Sequence, residues 1–326
     1  MIISTIIPVY NASLFLEKCL NSLLHAQIEG LDNEIILVND GSLDVSLSIC
    51  ERYATEHSNI KVFSQTNQGP SAARNLGIEK SQGAYITFVD SDDYVEENYF
   101  EIISKYFDSK WDILIFGYNK VLDKKIISNT LEGKALDRKA IMNQISTSAQ
   151  SMNLFWYPHT KVYKASVLSD LKFNHNINVG EDTIFNIEAM ARSKIIITIK
   201  ECLYNYVYNE SSLTSVKYRE DLLNNMIEHY KARIEIHHSF PELQTDVFYN
   251  DISKYYVNHI LFWLIKNIKN SPPAFYKLTA VKQTRNSIIY KECFKNYSYD
   301  WKHPRRSLII KLFELRLFYS LLKVIK

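Results

Sequence analysis

The 326-residue chain balances 38 Lys and Arg against 36 Asp and Glu, and a net charge of +2 excludes a polyanion binder that acts through bulk charge. At 46% hydrophobic and 23% charged residues it reads as a soluble globular chain, with one large domain or two ordinary ones. Eight glycines exclude collagen-like and linker-rich classes, and the four cysteines, Cys19, Cys50, Cys202 and Cys293, form no Cys-x-x-Cys pair, so neither a zinc site nor a disulfide framework is indicated. A reduced cytosolic setting fits, since the opening MIISTIIPVYN lacks a basic region and a cleavage signature and no run of about 18 apolar residues occurs.

Up to about residue 120, short β-branched runs alternate with helical patterns. The runs are 4–9, 34–38, 60–63, 84–89 and 112–116, apolar on both faces, as buried parallel strands require. Between them Leu16, Cys19, Leu20, Leu23 and Leu24 form one helical stripe, Ile49 and Tyr53 belong to a second, and a third helix opens at Pro70. This alternation predicts an α/β fold with a doubly wound, mostly parallel sheet, in which ligands bind beyond the carboxyl ends of the strands. From 120 to 215 the pattern is mixed. From 216 it becomes helical and aromatic-rich, as in YYVNHILFWLI (255–265), with a break at NSPPAFYK (270–277).

Five stretches carry polar residues suited to chemistry. IIPVYN places Pro8, Tyr10 and Asn11 at the end of the first strand, either as an ordinary turn or as a shelf for a nucleotide base. VNDGS places Asp40 after the second strand, where a carboxylate can accept the N3–H of uracil, a donor that cytosine lacks. NQGPSAARN offers Arg74 to a phosphate or base, or to a surface carboxylate, and its small Ser71-Ala72-Ala73 run allows close helix packing. AYITFVDSDDYV ends a buried strand on Asp90, Asp92 and Asp93, whose mutual repulsion is offset by water or by a hard divalent cation that also holds a diphosphate. NVGEDTIFN sets Glu181 and Asp182 at a helix start, where acids are favourable in any case and where one can serve as a general base.

In this order, IIPVYN, VNDGS, NQGPSAARN, FVDSDD and GED, the stretches resemble the family 2 glycosyltransferases with a GT-A fold, over roughly residues 1–215. The resemblance is to the bacterial branch that builds capsules, lipopolysaccharide O-antigens and related polymers with inversion at the anomeric carbon. It implies nucleotide contacts at Pro8, Tyr10, Asp40, Arg74, Asp90 and Ser91. It implies a Mn²⁺ or Mg²⁺ site at Asp92 with Asp90, and a catalytic Glu181-Asp182 pair with Asp182 as the base. His159 and Lys161, in WYPHTKVYKASVL, are implied on the acceptor side. The implied substrates are a UDP-sugar and a glycan or lipid-linked acceptor. Val207 and Asn209 stand where relatives often carry Arg, and Arg or His, so this loop gives no basis for a third protein ligand to the metal. The expected division is a catalytic domain at 1–215, its nucleotide half ending at 120 and its acceptor half at 215, then a helical region at 216–326.

Two enzyme classes fit less well. A haloacid-dehalogenase phosphatase places its Asp-x-Asp in the first strand, whereas three strands precede this one, and a nucleotidyltransferase wants a Gly-rich loop where PVYNASLFLEK stands. A non-catalytic sugar-nucleotide or carbohydrate-binding protein is the other alternative. In the last segment, 301–326, Lys302, Arg305, Arg306, Lys311, Arg316, Lys323 and Lys326 face one acid, Glu314, while Leu308, Leu312, Leu315, Tyr319 and Leu322 recur at helical spacing. Such a helix docks on the catalytic domain or a second subunit, as in a homo-oligomer, or lies on the inner face of an anionic membrane. No nucleic-acid partner is expected.

Overall fold

The computed structural model describes residues 2–107, 109–123, 125–147, 153–208, 218–271, 274–295, 297, 299, 303–318 and 320–321. Two compact units emerge, one of Met1–Ile141 with Asn153–Asn209, the other of Met142–Met152 with Glu210–Lys326.

The first unit is built on ten strands: β1 (Ile2–Val9), β2 (Asp32–Asn39), β3 (Ile60–Ser64), β4 (Tyr85–Phe88), β5 (Tyr94–Val95), β6 (Ile113–Leu122), β7 (Lys125–Asn129), β8 (Lys134–Asp137), β9 (Lys161–Lys164) and β10 (Ile195–Val207). They form one sheet in the order β3-β2-β1-β4-β9-β6-β10-β5, with β7 on β6 and β8 on β10. The five apolar runs become β1, β2, β3, β4 and β6. The first four pair in parallel, as runs apolar on both faces require. Sequence periodicity does not mark β9, whose four residues enter antiparallel between β4 and β6.

Helices α1 (Leu16–His25), α2 (Ser46–Glu56), α3 (Pro70–Lys80), α4 (Tyr99–Ser104), α5 (Arg138–Thr147), α6 (Asn153–Trp156) and α7 (Glu181–Arg192) connect these strands. Leu16, Cys19, Leu20 and Leu23 of α1 join Ile3, Ile7, Ile35 and Leu37 in one core cluster. Helix α3 lies so close to β1 that a Cβ on Gly77 would stand 2.3 Å from Cγ2 of Ile6, so the small residues that matter here are Ala73 and Gly77, both buried. This packing carries Arg74, one turn before Gly77, beneath the carboxyl ends of the strands.

The second unit contains α8 (Leu222–Ser239), α9 (Asp246–Tyr255), α10 (Leu261–Asn270), α11 (Ala274–Asn286), α12 (Ile288–Cys293) and α13 (Pro304–Glu314), with a π-helical turn, Tyr256–Ile260, between α9 and α10. Tyr256 sits at its centre, its hydroxyl 2.6 Å from Nδ1 of His229 and its carbonyl accepting from the Tyr290 hydroxyl at 3.3 Å. Helix α13 docks inside this unit through Ser307, Ile309, Ile310 and Phe313, with Phe313 edge-on to Tyr290 at 5.2 Å. The stripe that sequence spacing selects is therefore not the docked face: Leu308 and Leu315 are exposed. Nor does α13 run on, because Arg316 turns into the left-handed region at φ 61° and Leu317 N–H closes back on Leu312 O at 2.9 Å, a Schellman ending. Trp301, Lys302, Tyr319, Leu322, Lys323 and Lys326 lie outside the described residues.

Candidate active site

The loops after β1 and β2 are fastened to each other. Asn11, held at φ 48°, donates its N–H to Ser42 Oγ at 3.1 Å, and its side-chain oxygen accepts from Leu43 N at 2.8 Å. This leaves Pro8 half-buried and the Tyr10 ring exposed at the strand end. Asp40 is buried beside them. Its carboxylate accepts from Gln65 Nε2 at 2.7 Å, Gln68 N at 2.9 Å and Gly69 N at 2.8 Å. The residue expected to read a base edge thus first shapes the 65–69 loop, and of about four lone pairs on a carboxylate one remains.

The acids after β4 diverge. Asp90 accepts from Arg74 Nη2 at 2.9 Å and lies 3.4 Å from His159 Nδ1. Burial opposes its charge, but the Arg74 guanidinium and His159 outweigh it and hold the carboxyl well below the usual range. Asp93 turns the other way, into the protein, accepting from the Tyr204 hydroxyl at 2.6 Å and Val207 N at 2.7 Å, and burial followed by the Asp90 and Asp92 charges pushes its pKa up. Asp92, half-exposed next to Ser91, forms no ion pair among the described residues, and burial and then Asp90 raise its pKa. The crowding read from the sequence is therefore relieved at Asp90 by a buried cation and at Asp93 by hydrogen bonds, and persists at Asp92.

Helix α7 starts from Gly180 in the left-handed conformation, φ 86°. Glu181 points inward and is buried, with Oε1 3.5 Å from Arg74 Nη1. Its pKa is pushed up to about 8 by burial and by Asp182, against the pull of Arg74. Asp182 stays half-buried. Arg74, expected from the family resemblance to contact the nucleotide, is itself buried and bridges Asp90 to Glu181, with Nε unbonded among the described residues. The geometry accordingly gives Arg74 to its own carboxylates. The two acceptor-side expectations also fall on buried side chains. Lys161 is 0% exposed, its ammonium donating to Tyr157 O at 2.5 Å, and burial lowers its pKa well below the ordinary value, with Asp182 opposing. His159 is buried between the rings of Tyr157 (5.1 Å) and Tyr204 (4.4 Å), both nearly parallel to it.

The rings around His159 escaped the sequence reading. Tyr204 receives the Asp90 N–H on its hydroxyl oxygen at 3.2 Å while donating to Asp93, and so fixes both ends of the acidic turn. Tyr157 and Tyr206 are half-buried, and burial followed by the neighbouring Tyr118 and Asp182 pushes the Tyr157 hydroxyl up to about 12. The available signal was the tyrosine density of YNYVYN, but only the β10 pairings show which of these rings face inward.

A divalent cation fits this donor set in a specific way. Among the described residues no cluster of three or more His, Cys, Asp or Glu side chains could hold a metal alone. Mg²⁺-type ions, however, are commonly held by one or two carboxylates, with substrate phosphates and water completing the shell. Asp92, half-exposed and in no ion pair among the described residues, would meet that requirement, and Asp90 would contribute only while shared with Arg74.

Residues 4–162 match the model of the family described as Glycosyl transferase family 2. EpsJ, an uncharacterised glycosyltransferase of Bacillus subtilis, is 32% identical over 276 residues, 83% of this chain and 79% of EpsJ. The poly(ribitol-phosphate) beta-glucosyltransferase of Bacillus spizizenii is 32% identical over 219 residues, 64% of this chain and 32% of that protein, so the chain spans about a third of its length. Residues 1–349 of S. aureus TarS, solved with UDP-GlcNAc, superpose with TM-score 0.73 at 20% identity, covering 99% of this chain and 90% of that one, which shows the shared GT-A fold. The mixed sheet, with acids beyond the carboxyl ends of its parallel strands, is of GT-A type. The chain belongs to the family 2 glycosyltransferases.

Proposed function

We propose that this glycosyltransferase moves a sugar from a UDP-sugar, with inversion, to a hydroxyl of a glycan or lipid-linked acceptor in the synthesis of a cell-surface polysaccharide. The observation that carries the reading is the set of loops at one sheet edge: Tyr10 and Asp40 beyond β1 and β2, Asp92 beyond β4, and Asp182 at the start of α7. TarS has been solved with UDP and with UDP-GlcNAc, and the Bacillus spizizenii relative is named for poly(ribitol-phosphate), which supports the donor and the polymeric acceptor.

In this reading Pro8 and Tyr10 form the shelf for uracil, and the spare Asp40 lone pair takes its N3–H. Asp92, with Asp90, holds Mn²⁺ or Mg²⁺. When bound, that ion offsets charge on the diphosphate. A mannosyltransferase from Pyrobaculum calidifontis with TM-score 0.52, solved with GDP-Man and Mn²⁺, is consistent with such an ion on this fold. Asp182 takes the proton from the acceptor hydroxyl as its oxygen bonds to the anomeric carbon, and the bond to UDP breaks with its electron pair leaving on UDP. Arg74 keeps Asp90 and Glu181 in place. Tyr157 and Tyr206 line the acceptor side in place of Lys161. We take the catalytic domain, expected at 1–215, to be the first unit, Met1–Ile141 with Asn153–Asn209.

No helix among the described residues is long and apolar enough to cross a membrane. We propose a cytoplasmic enzyme that associates peripherally with the inner face of the cell membrane.

The test is a panel of UDP-, dTDP-, GDP- and CDP-sugars incubated with the protein and Mn²⁺, scored by release of nucleoside diphosphate and by thermal stabilisation. Response confined to a UDP-sugar supports the reading. Response to GDP- or CDP-sugars instead would remove the Asp40 assignment.

A further inference from the structure

The second unit has a concavity of about 750 Å³ where the π-helical turn meets the start of α13, lined by His259, Phe262, His303, Arg305, Arg306 and Ile309 among others. Every titratable group lining it, among the described residues, is basic. Arg306 is held in place: its guanidinium lies over the Phe262 ring at 4.9 Å and donates to the Asn258 carbonyl, while its Nε is shut from water without a hydrogen-bond partner. The carbonyl it uses belongs to the π-helical turn, and such turns recur at functional sites because they take backbone groups out of the helical ladder. Arg305 is exposed and forms no ion pair among the described residues. Two arginines beside one hollow, with no acid lining it among the described residues, is the arrangement expected of a site for an anion.

The face of α13 leading away from the hollow is apolar and exposed. Leu308 follows Arg305 by one turn and is 47% exposed, Leu315 two turns further is 55% exposed, and Leu317 beyond the helix end is 48% exposed. The opposite face, with Ile309, Ile310 and Phe313, is already consumed by docking. A phosphate dissolved in water needs no adjoining leucines. A phosphate at the head of a lipid does, because cationic side chains meet the headgroup while apolar ones reach the acyl boundary.

We propose that this hollow binds the phosphate headgroup of an anionic lipid, with Leu308, Leu315 and Leu317 entering the bilayer interface beside it. The contact is made by folded protein, through the undocked face of α13. It rests on the peripheral placement proposed above, and is separate from sugar transfer and from the donor and acceptor assigned there.

The test is co-sedimentation of the full chain with vesicles of phosphatidylcholine alone and of equal phosphatidylcholine and phosphatidylglycerol. The wild-type protein should sediment with the mixed vesicles and not with phosphatidylcholine. Arg305→Glu exchanges a positive for a negative charge on an exposed side chain, and should cut binding to mixed vesicles about tenfold or more. Leu308→Ser with Leu315→Ser should cut it about tenfold through lost apolar contact. All these residues are exposed, so thermal melting should be unchanged, as should transfer to a soluble acceptor. Equal sedimentation with phosphatidylcholine alone, or unchanged binding by both variants, overturns the proposal. So does thermal stabilisation by inorganic phosphate that Arg305→Glu abolishes while vesicles fail to bind, since the hollow would then serve a soluble phosphate.

Discussion

The carboxylates past β2 and past β4 occupy equivalent places in the fold and meet opposite fates. Asp40 is saturated almost completely by its own chain, through one side-chain amide and two backbone N–H groups of the 65–69 loop. After β4 the same kind of position carries three acids, and two of them find side-chain or distant backbone partners among the described residues, Asp90 through Arg74 and His159, and Asp93 through Tyr204 and Val207. A strand-end acid that is fully hydrogen-bonded is a structural clamp with a little capacity left over. One left beside like charge, with no ion pair among the described residues, is the one we propose for a ligand that brings a cation.

Consequences of this contrast differ in size. The largest lies downstream of both loops. Asp182→Asn preserves volume and should lower kcat by about 10²–10⁴-fold while UDP-sugar affinity is kept, as measured by initial rates beside calorimetry. If Glu181→Gln shows that loss and Asp182→Asn does not, the base is Glu181. Asp40→Ala should act on both stability and binding, because charged hydrogen bonds contribute about 1.5–3 kcal/mol and their donors are left unpaired. A lower melting temperature together with weaker UDP binding sharpens the clamp reading, and weaker binding with unchanged melting would make Asp40 a base contact only. The smallest effect is in pH dependence. Glu181 is raised from 4.5 to about 8, so its neutral form is the one the fold favours. Its contribution to stability is complete below pH 4.5 and is lost as pH rises through about 8. Glu181→Gln should therefore flatten the fall of melting temperature across that window, and an unaltered fall would assign it to another group.

Much of the first unit is legible in the sequence, for a physical reason. Strands buried on both faces must be apolar throughout, and a helix packed on them must show its stripe, so β1 to β4 and α1 announce themselves. Strand β9 does not, because four residues that begin at Lys161 and end at Lys164 are too few to show a period. The acidic turn is visible as charge, yet its division among Asp90, Asp92 and Asp93 is not, since the partners Arg74, His159, Tyr204 and Val207 lie 16 to 114 residues away in the chain. Long-range partners also explain why Arg74 and Lys161 read as ligand contacts: a cation in a loop motif looks available until the fold buries it. In the C-terminal helix, spacing identified an apolar stripe but could not say that Ile309, Ile310 and Phe313 would be the side to dock.

The contrast between the two strand ends rests on Asp92 being the carboxylate left for a cation that UDP brings into the site. Calorimetric titration of UDP into the wild-type protein and into Asp92→Ala, each with Mn²⁺ and with a chelator, tests this directly. The account predicts that Mn²⁺ strengthens UDP binding to the wild-type protein and has no effect on Asp92→Ala, whose melting curve stays normal or rises because a repulsive charge is gone. Equal Mn²⁺-dependent affinity in both proteins would contradict it.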